Sequence, residues 1–167
     1  MNKVEIVKLE KMPKSVEELN GIINEYNKDP FKMAALCVAV FCNYENNVEE
    51  TIKMVNVIKG PEDLSNYDIQ FLKDRLDKKG YVVRSYFNGT SVENDYTIPA
   101  DLYEIEVSDN PYSYQDDGYV TLYLKSSGAD SLRPIKLRKK DSTGEWFLWE
   151  HTFLSDIRIP KSMDSWS

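Results

Sequence analysis

The sequence predicts an α+β fold, an N-terminal layer of about four helices packed on a C-terminal antiparallel β-sheet. Three observations point there. Up to about residue 80, apolar residues recur at helical spacing, and after that the apolar period shortens to two. Met33 to Cys42 carries no charged or strongly polar residue, so this stretch needs cover on most of its sides. Short loops join the later extended runs, which favours antiparallel neighbours. A chain of 167 residues that is 41% hydrophobic suits one domain with a good core. We therefore expect a single α+β domain over 1–167, with a helical half at about 15–80 and a sheet half at about 81–160.

Taken in order, Val4 to Leu9 alternates loosely and reads either as a short strand or as an extended arm. Lys11 to Lys14 breaks it at Pro13. Ser15 and Glu18 have capping-box spacing, and Val16, Leu19, Ile22, Ile23 and Tyr26 form the stripe of a first helix. Gly21 weakens its middle and suggests close approach by another helix. Asp29-Pro30 starts the central helix, with Asp as cap and Pro at the first helical position. Its apolar run is about half of the roughly 20 residues a membrane span needs, so it reads as a core helix. It ends near Asn43. Asn47 with Glu50 starts a third helix, whose face is Val48, Ile52, Val55 and Ile58 and whose stop is Gly60-Pro61. Ser65 with Asp68 starts a fourth, with Ile69, Leu72 and Leu76 inward, ending at Gly80 after Lys78-Lys79.

Tyr81 to Phe87 is rich in β-branched and aromatic residues and reads as a strand, with Asn88-Gly89 as its turn. Ser91 to Pro99 is polar and gives no clean strand. Four further strands are expected at Leu102 to Val107, Tyr119 to Lys125, Ile135 to Lys139 and Glu145 to His151. The tail from Lys161 is polar, and only Trp166 could dock it.

Helices followed by an antiparallel sheet resemble cystatin-like or nuclear-transport-factor-like cones, in which a bent sheet wraps helices and leaves a pocket. Such folds host many functions, so the resemblance fixes none. Four helices before the first clear strand depart from the usual order. In sequence, Pro30 to Leu76 and the ending Trp146-Phe147-Leu148-Trp149-Glu150 through Ile157-Arg158-Ile159-Pro160 resemble a family of uncharacterised bacterial single-domain proteins of clostridial type. That resemblance implies a bacterial origin and one domain, and carries no activity.

The formal net charge of -7 argues against nucleic acid or an anionic membrane as the main partner. The first residues lack the apolar run of a signal peptide, which makes the cytoplasm the expected location; a trimmed export signal stays open. Cys37 and Cys42 lie about 140° apart around a helix, so they suit core positions better than a disulfide. With one histidine beside them, a zinc site of the usual Cys/His kind cannot be assembled. No phosphate-loop motif is present. No cofactor is expected.

Chemistry could arise in a few places. His151 is the natural general base, but Trp149-Glu150-His151-Thr152 matches no nucleophile motif. Asp109 to Gly118 collects carboxylates without the alternating order of a calcium loop, and turn formation explains them. Glu104 and Glu106 share one strand face and read as a solvated pair rather than a glycosidase pair. The strongest pattern lies in the last strands. If Val120, Leu122, Leu124, Ile135, Leu137, Trp146 and Leu148 face the core, the other face carries Tyr119, Tyr123, Lys136, Arg138, Phe147, Trp149 and His151. Rings mixed with cations suit an anionic or planar ligand, or a protein partner. Solvated Lys stems over Tyr rings, or cover by Phe153 to Ile159, would explain the same pattern without function.

The reading is therefore a non-enzymatic ligand- or protein-binding domain that uses Tyr119, Tyr123, Lys136, Arg138, Trp149 and His151. The alternative is a small enzyme with a pocket between sheet and helices, using His151 or a carboxylate. A homodimer joined through the same face is a third reading. Ligand and partner are not specified by any motif.

Overall fold

The apolar run from Met33 to Cys42 forms the buried axis of the molecule. In the computed structural model, which describes residues 2–166, it lies in helix α2 (Pro30–Cys42), and every residue from Met33 to Cys42 is buried. The Asp29 side chain caps α2 by accepting from the Phe31 N–H at 2.9 Å, with Pro30 in the first turn. A helix buried on all sides needs several neighbours. They come from both halves of the chain.

Strand β1 (Val4–Leu9) precedes helix α1 (Val16–Ile22). After α2 come α3 (Val48–Lys59), α4 (Asn66–Leu76) and the short α5 (Tyr81–Arg84). Then follow β2 (Tyr103–Ser108), β3 (Tyr119–Leu124), β4 (Arg133–Lys140) and β5 (Glu145–Glu150). The sheet is antiparallel throughout, in spatial order β1-β2-β3-β4-β5. One face of the sheet packs on α2, which touches all five strands. Val7, Leu9, Ile105, Val107, Val120, Leu122, Leu124, Ile135, Leu137 and Leu148 supply that inner face and are buried.

The predicted N-caps form, but two of the three expected boxes close on one side only; Ser15 accepts from the Glu18 N–H at 3.1 Å while the Glu18 carboxylate pairs with Lys11. Ser65 and Asp68 make a complete capping box, with both reciprocal bonds near 3 Å. Asn47 caps α3 through the Glu50 N–H at 3.1 Å. The Glu50 carboxylate does not return to Asn47. It accepts from the Val16 N–H at 2.8 Å, which ties the start of α1 to α3. Nothing approaches Gly21 closely enough to need a glycine, so the predicted helix contact there is absent.

The structure corrects the helix-to-strand boundary. Tyr81 to Phe87 does not form a strand. Tyr81, Val82 and Val83 wind into α5, Tyr86 follows as a buried turn residue, and only the buried Phe87 keeps a sheet contact, a single antiparallel bridge to Ile105 of β2. Their β-branched and aromatic character reflects burial against α2 rather than pleating, so tertiary packing overrides strand propensity. Val4 to Leu9 forms β1, the edge strand beside β2, which resolves the choice between strand and arm. Helix α4 ends at Leu76 rather than at Gly80, and Lys78 takes the left-handed backbone conformation, φ 58°. Gly80 instead begins α5, where an added Cβ would collide with the Glu45 carboxylate.

After β5 the chain turns back toward the helices. Phe153 packs edge-on against Phe41 of α2 and against Tyr86, each at 5.6 Å between ring centres. The Tyr86 hydroxyl donates to the Phe153 carbonyl, and the Tyr96 hydroxyl donates to the Arg158 carbonyl at 2.6 Å. Those two bonds hold the segment on the helical side, so Phe153 does not cover the outer sheet face. Trp166 is 93% exposed and docks on nothing described.

Candidate functional site

Alternation sends Tyr119, Thr121 and Tyr123 of β3 away from the core, because Val120, Leu122 and Leu124 point into it. In β4 the same rule sends Lys136 and Arg138 outward. The pairing places Arg138 directly across from Tyr119, and Lys136 across from Thr121. In β5, Phe147 stands across from Arg138 and Leu148 across from Leu137. The next pair is Lys136 with Glu150, so the register shifts there and Trp149 is left without a partner. This is a β-bulge, which frees a residue from the ladder and re-aims its side chain. Trp149 is re-aimed onto its neighbours. Its ring lies 5.5 Å from the Tyr119 ring, edge to face, and the Arg138 guanidinium carbon lies 5.0 Å from the Trp149 ring and 5.4 Å from that of Tyr119. The three groups form a nearly equilateral triangle. Lys136 adds its ammonium 5.1 Å from the Tyr119 ring and 3.5 Å from an Asp116 carboxylate oxygen. The exposed Lys136–Asp116 pair contributes little to stability.

Beside the triangle is a cleft of about 520 Å³ at the β5 edge, walled by Pro61, Arg138, Lys139, Lys140, Phe147 and Trp149, with Asp141 at its rim. The chain leaving helix α3 forms the far wall. The helix ends at Lys59, and Gly60 then lies beside the Phe147 ring, where a Cβ would make an ordinary 3.7 Å contact. Pro61 follows into the cleft. Sequence reading treats Gly60-Pro61 only as a helix stop. Its second role as a wall depends on where α3 lies against β5, for which the sequence carries no signal.

Of the predicted site residues, Tyr119, Arg138 and Trp149 are brought together and Lys136 joins them. Tyr123 shares the face but lies about 13 Å from Tyr119 along the strand, across from Pro134. His151 is not on this face. The bulge uses up one residue, so the alternation after Trp149 inverts, and His151 turns inward. Its ring sits 5.6 Å from Phe41 of α2 and 5.6 Å from Phe71 of α4. Burial pushes its imidazole below the ordinary histidine range; Asp68 and Glu150 pull it up, and Lys59 pushes it down. No hydrogen bond to its side chain exists among the described residues.

The other candidates stay structural. Glu104 and Glu106 stand across from Lys8 and Ile6 on the β1–β2 ribbon. In the loop before β3, Asp109 accepts from the Lys3 N–H at 2.7 Å and from the Tyr114 hydroxyl at 2.9 Å. Asn110 accepts from the Tyr112 N–H at 2.8 Å, so these side chains are used in folding the loop. Among the described residues no group of three or more His, Cys, Asp and Glu side chains is placed to hold a metal. Among them, too, no helix is long and apolar enough to cross a membrane.

Residues 11–161 match the family model of a domain of unknown function, DUF6935, and the chain belongs to that family. No curated protein and no solved structure matches the chain.

Proposed function

We propose that this member of a family of unknown function is a non-enzymatic binding domain that takes its ligand on the outer sheet face, at the cleft beside Trp149. The supporting observation is the triangle of Arg138, Tyr119 and Trp149. A bulge turns a large aromatic out of the ladder, and Trp149 stays 43% exposed at the cleft wall. Large exposed rings set beside a cation, next to a concavity of this size, are the usual makings of a small-ligand site. A cytoplasmic bacterial protein remains part of this reading.

The enzyme alternative would rest on His151 or a carboxylate. A general base needs a nucleophile or substrate proton within hydrogen-bond reach. His151 instead faces two phenylalanine rings, which favours a packing role.

The test is a thermal melt against metabolites, nucleotides, sugars and metals, with Arg138→Ala and Trp149→Ala run in parallel. A ligand at 100-fold its dissociation constant adds about 2.7 kcal/mol, which raises the midpoint by roughly 5–10 °C at this chain length. We expect such a shift in the wild type and its loss in both variants, whose unliganded midpoints stay near the wild-type value. A flat panel together with a dimer by light scattering would replace this reading by self-association through the same face.

A further inference from the structure

We infer that the cleft takes a small organic anion, a carboxylate or phosphate joined to a flat apolar ring. This rests on the binding reading above and specifies its ligand. The first observation is the state of Arg138. Its guanidinium touches two rings, yet among the described residues it makes no hydrogen bond and no ion pair. The rings hold its position without using its N–H groups. An arginine fork so held matches the two oxygens of a carboxylate or phosphate. The second observation is charge. Arg138, Lys139 and Lys140 are consecutive at the cleft wall, in a chain of net charge -7. None of the three has a carboxylate within ion-pair distance among the described residues.

The third observation is the donor inventory. Arginine and lysine only donate, and the other side-chain walls, Pro61, Phe147 and Trp149, are chiefly apolar. Asp141 is the single carboxylate. A ligand that satisfies this wall must bring acceptors and negative charge, and must offer a flat apolar surface to the rings. A neutral sugar or a metal cation brings the wrong complement. A volume of about 520 Å³ holds one ring system with a head group.

Isothermal titration of the full chain tests this with matched pairs: 2-naphthoate against 2-naphthamide, and adenosine monophosphate against adenosine, with inorganic phosphate alone as a further probe. We expect at least one acid to bind, and its neutral counterpart to bind at least about 10-fold more weakly, the equivalent of one lost charge-assisted contact. Binding by naphthoate alone assigns a carboxylate, and by the monophosphate alone a phosphate. Arg138→Lys keeps the charge but not the fork, and is expected to lose about 10-fold for the acid and little for the neutral compound. A melt of each variant confirms folding. Equal binding of acid and neutral compound, or an unaffected Arg138→Lys, overturns the anion inference while leaving a binding cleft. Silence of both acids, with a melting shift from another ligand class, overturns the inference alone. Silence here together with a flat panel removes the binding reading as well.

Discussion

His151 lies between Phe41 and Phe71, and burial shifts its imidazole toward the neutral form. The folded-state pKa is depressed below the unfolded one. Stability is therefore complete above the ordinary histidine value of about 6.5 and falls as pH drops, because the unfolded chain takes up the proton first. As the sole histidine, His151 dominates that window. Melting midpoints of the wild type should fall between about pH 7.5 and about pH 5, and those of His151→Leu should fall less; parallel curves would refute the assignment. The cysteines give a second expectation. Burial pushes both thiols up, that of Cys42 to about 12, and neither forms a disulfide. Ellman's reagent should leave the folded protein unlabelled and label two thiols in urea. At this scale the sequence was informative up to the bulge. Simple alternation finds Tyr119, Arg138 and Trp149. It misplaces His151, because one unpaired residue inverts every later side chain. No glycine marks that bulge.

The helices were readable because their ends are written in local chemistry. Asp29, Asn47 and Ser65 all cap the helices they were expected to cap. The Ser65 box is closed by two bonds on the surface, so Ser65→Ala should cost about 1 kcal/mol in a urea titration, with an unchanged slope. Core substitutions in α2 should cost more. Leu36 is fully buried, and Leu36→Ala should cost about 2–5 kcal/mol by the same measurement. Elements defined by burial alone were harder to read. Tyr81 to Phe87 has the composition of a strand, yet it is α5 and a turn that ends in a single bridge at Phe87, because an apolar stretch under α2 needs cover more than it needs a pleat. Short apolar runs of this kind carry no period that separates helix from strand.

At the level of the whole molecule, one edge of the sheet is formed by β1, far in sequence from its partner. β1 adds Val7 and Leu9 to the core and pairs along its whole length with β2. Deleting residues 2–9 should remove roughly 3–6 kcal/mol, the burial of two large apolar side chains. That is a sizeable part of the total for an ordinary domain, so the truncated protein should melt far lower and bind apolar dyes. An undiminished midpoint would show that β1 is dispensable. The sequence left β1 open between strand and arm, since its partner is distant and nothing local selects it. That distance has a consequence for how the protein comes into being. On a ribosome this edge strand is made roughly a hundred residues before its mate, a delay of about 5–20 s at ordinary rates of synthesis. For that time Val7 and Leu9 have no sheet to dock on, and a strand made early waits for a partner made late.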